Sequence, residues 1–203
     1  MTPARHAFSA ALALLHRAED PAARRRGGIC AQALWDVVKT MGQTLPKPGL
    51  RPFLPDDVPV LAAIFAASIE ELTGDDYNEA QQQAWMEAAE TEEFGKRLAA
   101  DLTLIATLEG SPVGFASLQG ADHIRMLYVH PAVSGQGIAT MLVDALEKLA
   151  GGRGAKSLSV DASDTAQGFF AKRGYVAMQR NSITVNDEWL ANTTMKKTLG
   201  ASQ

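Results

Sequence analysis

A single cysteine, Cys30, stands among the 203 residues, which excludes an internal disulfide framework and any metal site built from several thiolates. Histidine is scarce too. His6, His16, His123 and His130 show no paired ligand spacing, so no structural zinc or other metal is expected. No apolar run approaches the roughly 20 residues that span a bilayer, so a membrane protein is not expected. The apolar stretch from Ala7 to Leu15 follows Arg5 but has no small-x-small cleavage site, and His16-Arg17 ends it. It is therefore not read as a secretory signal, and a cytoplasmic location follows by default.

What is present is an ordinary globular composition, 46% apolar and 21% charged, with length for one domain plus an appendage. Charge is unevenly spread. Residues 1–48 carry seven basic against three acidic residues, whereas residues 49–203 carry twelve against twenty, a net of −8. An acidic body argues against nucleic acid as a partner, because that binding is driven by phosphate neutralisation.

Residues 4–18 and 21–41 read as two helices with an apolar seam, joined at Asp20-Pro21, and Pro46-Lys47-Pro48-Gly49 reads as a linker. This basic extension, residues 1–48, is expected to dock on the body or to support a homodimer. Residues 49–199 form the expected main domain and 200–203 a tail. Within it, a short strand at Leu50–Phe53 precedes a helix capped by Asp56-Asp57 and running to Leu72. Helices are expected over Asn78–Ala89 and Glu92–Ala100. Strands follow at Leu102–Leu108, Pro112–Leu118 and His123–Val129, then a helix from about Gly137 and a strand at Ser157–Asp161. A further helix and two strands, Tyr175–Val185 and Glu188–Lys197, close the domain, with Asn186-Asp187 as the hairpin turn. An α/β (α+β) fold, one mixed sheet with helices on both faces, accommodates this order.

The most informative stretch runs from Leu127 to Glu147. Apolar Ile138, Met141, Leu142, Ala145, Leu146 and Leu149 recur at helical spacing, so Gly135 and Gly137 fall at a helix N-terminus, where main-chain N–H groups lack partners. Glycines there leave room for a phosphate to reach aimed donors and the positive end of the helix dipole. Two better-known phosphate loops do not match. No lysine follows Gly137 as a P-loop requires, and Thr140 stands where a dinucleotide fingerprint needs a small residue. A plain strand–helix connection remains the alternative at this point.

His130-Pro131 followed by Ser134-Gly135-Gln136-Gly137-Ile138-Ala139 resembles motif A of the GNAT superfamily of acetyl-CoA-dependent N-acetyltransferases. Some thirty residues on, Ala166-Gln167-Gly168-Phe169-Phe170-Ala171-Lys172-Arg173-Gly174-Tyr175 resembles that family's motif B. The likeness extends over residues 49–199. It implies a mostly antiparallel central sheet with helices on both faces and acetyl-CoA as co-substrate. Pyrophosphate would be held by main-chain amides of Ser134, Gly135, Gln136, Gly137, Ile138, Ala139 and Thr140. The cofactor arm would lie along Leu127 and Val129, with Phe170 packed on it or packed in the core. Lys172 and Arg173 could reach the 3′-phosphate.

Two positions depart from the family pattern. Ser134 replaces a long Arg or Gln, and Phe170 replaces the tyrosine that often protonates the departing thiolate. The enzyme reading is acetyl transfer to a primary amine of a small cationic molecule, with His123 as base and Tyr128 as substitute proton donor. Asp75, Asp76 and Tyr77 would line an acidic mouth for the acceptor. The competing readings are a non-enzymatic acyl-CoA-binding or regulatory domain and a plain nucleotide-binding module.

Overall fold

A computed structural model describes residues 47–89 and 91–200; the helices expected over 4–18 and 21–41 lie outside the described residues. Seven strands form one sheet: β1 (Gly49–Pro52), β2 (Leu102–Leu108), β3 (Ser111–Gln119), β4 (His123–Val129), β5 (Ser157–Ser163), β6 (Val176–Val185) and β7 (Glu188–Thr198). Their order is β1-β2-β3-β4-β5-β7-β6. Every pairing is antiparallel except that of β4 with β5, which are joined by a helical crossover as parallel neighbours must be. The helices are α1 (Val58–Leu72), α2 (Glu79–Met86), α3 (Glu92–Ala100), α4 (Ile138–Gly152) and α5 (Asp164–Lys172).

Both faces of the sheet are covered. The stripe Leu61, Ile64, Phe65, Ser68 and Ile69 turns one side of α1 inward, at the spacing a buried helix face requires. With Leu98 of α3 it packs on Ile105 and Phe115. On the opposite face Leu142 and Leu146 of α4 and Phe170 of α5 meet Leu118, Leu158 and Met195. Alternation along β5 sends Leu158, Val160 and Ala162 into this second core and leaves Ser157, Ser159 and Asp161 on the α1 side.

One irregularity in β4 sets up the site. Ser117 pairs with Met126 but Leu118 pairs with Ile124, so Arg125 is an extra residue. Such a bulge resets the alternation. Ile124 therefore packs with α4 while Met126 packs with α1, although the two would share a face in a regular strand.

Two local expectations are corrected. Asp57 was expected to cap α1 through its side chain, yet it makes no such hydrogen bond. Its carboxylate instead accepts both ends of the Arg51 guanidinium at 2.6 and 2.7 Å and the Leu54 amide at 2.8 Å. A two-pronged charge-assisted contact outcompetes neutral helix amides. The helix expected to reach Ala89 ends as α-helix at Met86 and tightens into a 3-10 turn, Glu87–Ala89. There the Glu87 N–H is shared between the Gln83 and Trp85 carbonyls, a usual way for a helix to end.

The Arg51 guanidinium, through its hydrogen bonds, holds the Asp57 carboxyl below the usual carboxylate value. A depressed value gives stability that is present above the unfolded-state value near 4 and lost as pH falls through the folded one. The stability advantage of wild type over Asp57→Asn is expected to shrink as pH falls from about 5 toward 3. Urea midpoints measured across that range check it, and a constant gap would show that the fork is not its source.

Candidate active site

β4 and β5 are paired at only two positions, His123 with Ser159 and Ile124 with Val160. Beyond Ile124 the strands diverge, and the main chain of Leu127–Val129 has no neighbouring strand on that side. A cavity of about 410 Å³ occupies the opening. Its walls include Ile124–Val129 of β4, Val160–Ser163 of β5, the start of α4 and one side of α5, with Ser68, Leu72, Thr73 and Trp85 lining the α1 side. A wedge in a sheet is a rare place where backbone donors and acceptors are unpaired by design.

At the wide end of the wedge lies the glycine loop. Gly135 and Gly137 have φ of +75° and +84°, left-handed values that side-chain-bearing residues adopt at a cost. Gly137 is the N-cap of α4 and supplies no side-chain cap. The donors of the first turn, Ile138, Ala139 and Thr140, therefore face outward with the helix dipole behind them. A Cβ built on either glycine meets nothing within 4 Å, so the space in front of these amides is open to a ligand. Gly114 has a different purpose. A Cβ there would lie 2.9 Å from the Tyr128 carbonyl and 3.3 Å from Ile138 Cγ2, so its absence lets α4 begin directly over β3 and β4. His130 shapes the approach, its Nδ1 accepting the Ala132 N–H at 3.2 Å.

The α1 wall is aromatic. Tyr128 packs against Phe65 at 4.5 Å, Phe115 at 5.5 Å and Trp85 at 6.4 Å between ring centroids. Burial pushes its phenol well above the ordinary tyrosine value. On the other wall Phe170 is 1% exposed and stacks edge-on between Phe169 and Tyr175.

A helix start with unpaired amides, a split between parallel strands and this strand order are found together with a sequence match to the acetyltransferase (GNAT) domain model over residues 73–199. The chain belongs to the GNAT acetyltransferase family. A GCN5-related N-acetyltransferase from Rhodopseudomonas palustris, named as an aminotransferase of class II, is 64% identical to it with a TM-score of 0.75. The match covers 77% of this chain and 99% of that one. The uncharacterised N-acetyltransferase YafP of Escherichia coli K12 is 29% identical over 72% of this chain and 93% of its own. The PaiA N-acetyltransferase of Thermoplasma acidophilum, solved with coenzyme A, shares the fold at 17% identity and a TM-score of 0.63, over 75% of this chain and 99% of its own. The sheet and its two helical layers are those that the family resemblance implied.

Within this GNAT domain the expected site residues separate into groups. Leu127, Tyr128, Val129, Ser134, Gly135, Gly137, Ile138, Ala139, Thr140 and Phe170 all line the one cavity. Gln136 turns away, its amide group donating to the Ala132 carbonyl at 3.2 Å. His123 does not line the cavity, but its Nε2 lies 3.8 Å from Asp161, which does. Asp75, Asp76 and Tyr77 are outside the lining. Asp75 is exposed, and Asp76 accepts the Thr165 hydroxyl at 2.6 Å. Tyr77 is 5% exposed, donating to the Ala191 carbonyl at 2.6 Å and accepting the Asp164 amide at 3.0 Å. Arg173 is engaged by Asp144 and Glu147, which draws it away from any phosphate, while Lys172 is exposed. Among the described residues no group of three or more His, Cys, Asp or Glu is placed to hold a metal, and no helix is long and apolar enough to cross a membrane.

Sequence reasoning missed Asp161, Thr165 and Trp85 as lining residues. Only Asp161 left a trace, as a charged residue in the otherwise small or apolar run Ser157-Leu158-Ser159-Val160-Asp161-Ala162.

Proposed function

We propose that this GNAT acetyltransferase carries the acetyl group of acetyl-CoA to a primary amine of a small cationic molecule by direct attack on the thioester. The observation that supports it most is the wedge between β4 and β5 opening onto the Gly135–Gly137 loop. Main-chain amides of Gly135, Gly137, Ile138, Ala139 and Thr140 would take the pyrophosphate, whereas those of Ser134 and Gln136, expected to join them, already donate to the Pro131 and Val133 carbonyls at 2.9 and 3.3 Å. The unpaired edge at Leu127 and Val129 would pair with the amides of the cofactor arm and so run it, extended, toward Ile124. Coenzyme A seated this way supplies a thioester as acyl donor. Holding that carbonyl against fixed backbone dipoles polarises it at the moment of attack.

Tyr128 keeps its proton through the working pH range, because its folded value is raised. A thiol titrates near 8.5, so the phenol gives the departing thiolate a hydrogen bond rather than its proton. His123 is the base in this reading. The acidic stretch Glu70, Glu71, Asp75 and Asp76 at the α1–α2 connection is exposed and gives a cationic acceptor a favourable approach. Val176, Met178 and Trp189, all more than 60% exposed on the edge hairpin, support a homodimer. A cytoplasmic setting completes the reading.

Calorimetric titration and a thiol-release assay test it together. Acetyl-CoA is expected to bind one to one, with ADP weaker by at least about tenfold, a difference of about 1.4 kcal/mol. Thiol release should depend on added amine. Exposed ion pairs contribute ~0.2–1 kcal/mol each, so the double variant Asp75→Asn/Asp76→Asn should raise KM for a diamine by roughly two- to thirtyfold, and an unchanged KM would remove those carboxylates from acceptor binding.

A further inference from the structure

We infer that Asp161 is the acceptor-binding carboxylate of this enzyme and that it holds the substrate ammonium against His123 Nε2, which takes the proton before attack. The inference rests on the acetyl-transfer reading above.

Register fixes where the chemistry must occur. A cofactor arm pairing with β4 from the glycine loop inward can advance only as far as Ile124, because Ile124 and Val160 are already paired across the seam. The thioester therefore stops at the apex of the wedge. Asp161 is the first β5 residue beyond the last pair, so its side chain stands beside that apex. It points to the α1 side, the side opposite the α4 N-terminus, from which an acceptor can enter without crossing the cofactor.

Asp161 is the only carboxylate among the described residues that line the cavity, and it is built into place. The Thr194 hydroxyl donates to Oδ1 at 2.6 Å. That hydroxyl accepts from the Asn181 amide at 2.8 Å, and the same amide group donates to Asn192 at 2.9 Å. Oδ1 is thereby committed, and Oδ2 is left facing His123 Nε2 at 3.8 Å. That separation is wider than a hydrogen bond, yet both atoms can contact one ammonium nitrogen. With its side chain 45% exposed, Asp161 is open to a ligand while its geometry is set.

Proton transfer to Nε2 requires one tautomer of the histidine. With the Ser159 hydroxyl donating to the Asp122 carbonyl at 3.1 Å, it accepts at its 3.1 Å contact with His123 Nδ1. In that arrangement Nδ1 carries the hydrogen, and Nε2 presents a lone pair toward Asp161. Two cations share this face of the sheet. Arg125 is paired with the 5% exposed Asp101 at 2.9 Å, and Lys196 stands opposite Ser159 in the register.

The proton balance closes with these groups. An alkylammonium bound by Asp161 loses one proton to His123 Nε2 and thence to solvent. The free amine attacks the thioester carbon, the C–N bond forms and the C–S bond breaks. The second proton shed by nitrogen goes to the thiolate, giving amide and free coenzyme A.

The test compares Asp161→Asn with wild type on two acceptors at pH 7, an alkyl diamine that arrives as ammonium and an acyl hydrazide that arrives neutral. General-base assistance is worth about a hundredfold or more. A loss of at least about 100-fold in kcat/KM is therefore expected with the diamine, and only a few-fold loss with the hydrazide. Acetyl-CoA affinity, read by calorimetry, should be unchanged, which also reports folding. Thr194→Val should give an intermediate, diamine-selective loss. Equal losses on both acceptors, or none on either, would overturn the inference while leaving acetyl transfer intact. Failure of wild type to release thiol with either acceptor would overturn the reading beneath it, and the inference with it.

Discussion

Replacing Gly137 by valine is expected to weaken acetyl-CoA binding by about 100-fold, or roughly 2.7 kcal/mol. Two physical costs act together. Gly137 holds φ at +84°, where a β-branched side chain costs about 1–2 kcal/mol, so the loop relaxes by rotating that residue. Rotation swings the amides on either side out of convergence, and each hydrogen bond to a charged oxygen is worth about 1.5–3 kcal/mol. The new methyl groups also occupy the space through which the phosphate must approach. Because a Cβ at this position meets no protein atom within 4 Å, the fold itself is not crowded, and Tm should move by only a few degrees. Ser134→Ala is the matched control. The Ser134 N–H is already donated to the Pro131 carbonyl at 2.9 Å, so affinity should change less than about threefold, under 1 kcal/mol. Calorimetry on the pair decides the matter, and full affinity in Gly137→Val would remove the loop from cofactor binding.

The second large effect is on stability. Phe170→Ala removes a side chain that is 1% exposed and packed against both Phe169 and Tyr175. Phe→Ala in a core costs about 3–5 kcal/mol, and for a domain of this size each kcal/mol moves Tm by about 2–4 °C, so a drop on the order of 10 °C is expected. The measurement separates the two functions that this position could have. A ring whose main task was to cover the cofactor arm would leave Tm nearly unchanged and lower acetyl-CoA affinity instead. The burial and the aromatic stack favour the packing function, which also explains how a phenylalanine can stand where the family often has tyrosine.

Much of this molecule could be read from residue order alone, for identifiable reasons. The elements from β1 to β7 were legible because their apolar residues repeat at period two or near 3.6, and their ends carry glycine, proline or Asn-Asp. The proposed anion site was legible because it is made of backbone, and the two glycines that permit it are visible as letters. Contacts set by pairing register were not. Asp161 and His123 stand 38 positions apart and meet only because β4 and β5 run parallel with Ile124 facing Val160. Nothing local in either segment signals that. Tyr77 illustrates the opposite hazard. Its place in an acidic stretch suggested contact with an acceptor, but its hydroxyl is used by Ala191 and Asp164, residues more than eighty positions away. Asp57 likewise has the letters of a helix cap, and the partner that redirects it, Arg51, lies in the preceding strand.

The short seam between β4 and β5 also decides how mechanical load passes through the protein. Two residue pairs are a weak weld between a four-strand leaf and a three-strand leaf. Other ties span the gap on the α1 side, running from the α1–α2 connection and α2 to the β6–β7 hairpin and to α5. The Tyr77 phenol reaches Ala191 and Asp164, Gln81 reaches the Trp189 carbonyl at 2.6 Å, and Asn186 reaches the Ala84 carbonyl at 3.1 Å. α2 is thus a strut riveted to the far leaf, while α1 is bedded on the near one. The six residues between them, 73–78, become the elbow of the assembly, and any spreading of the cleft must flex that elbow or shear those rivets.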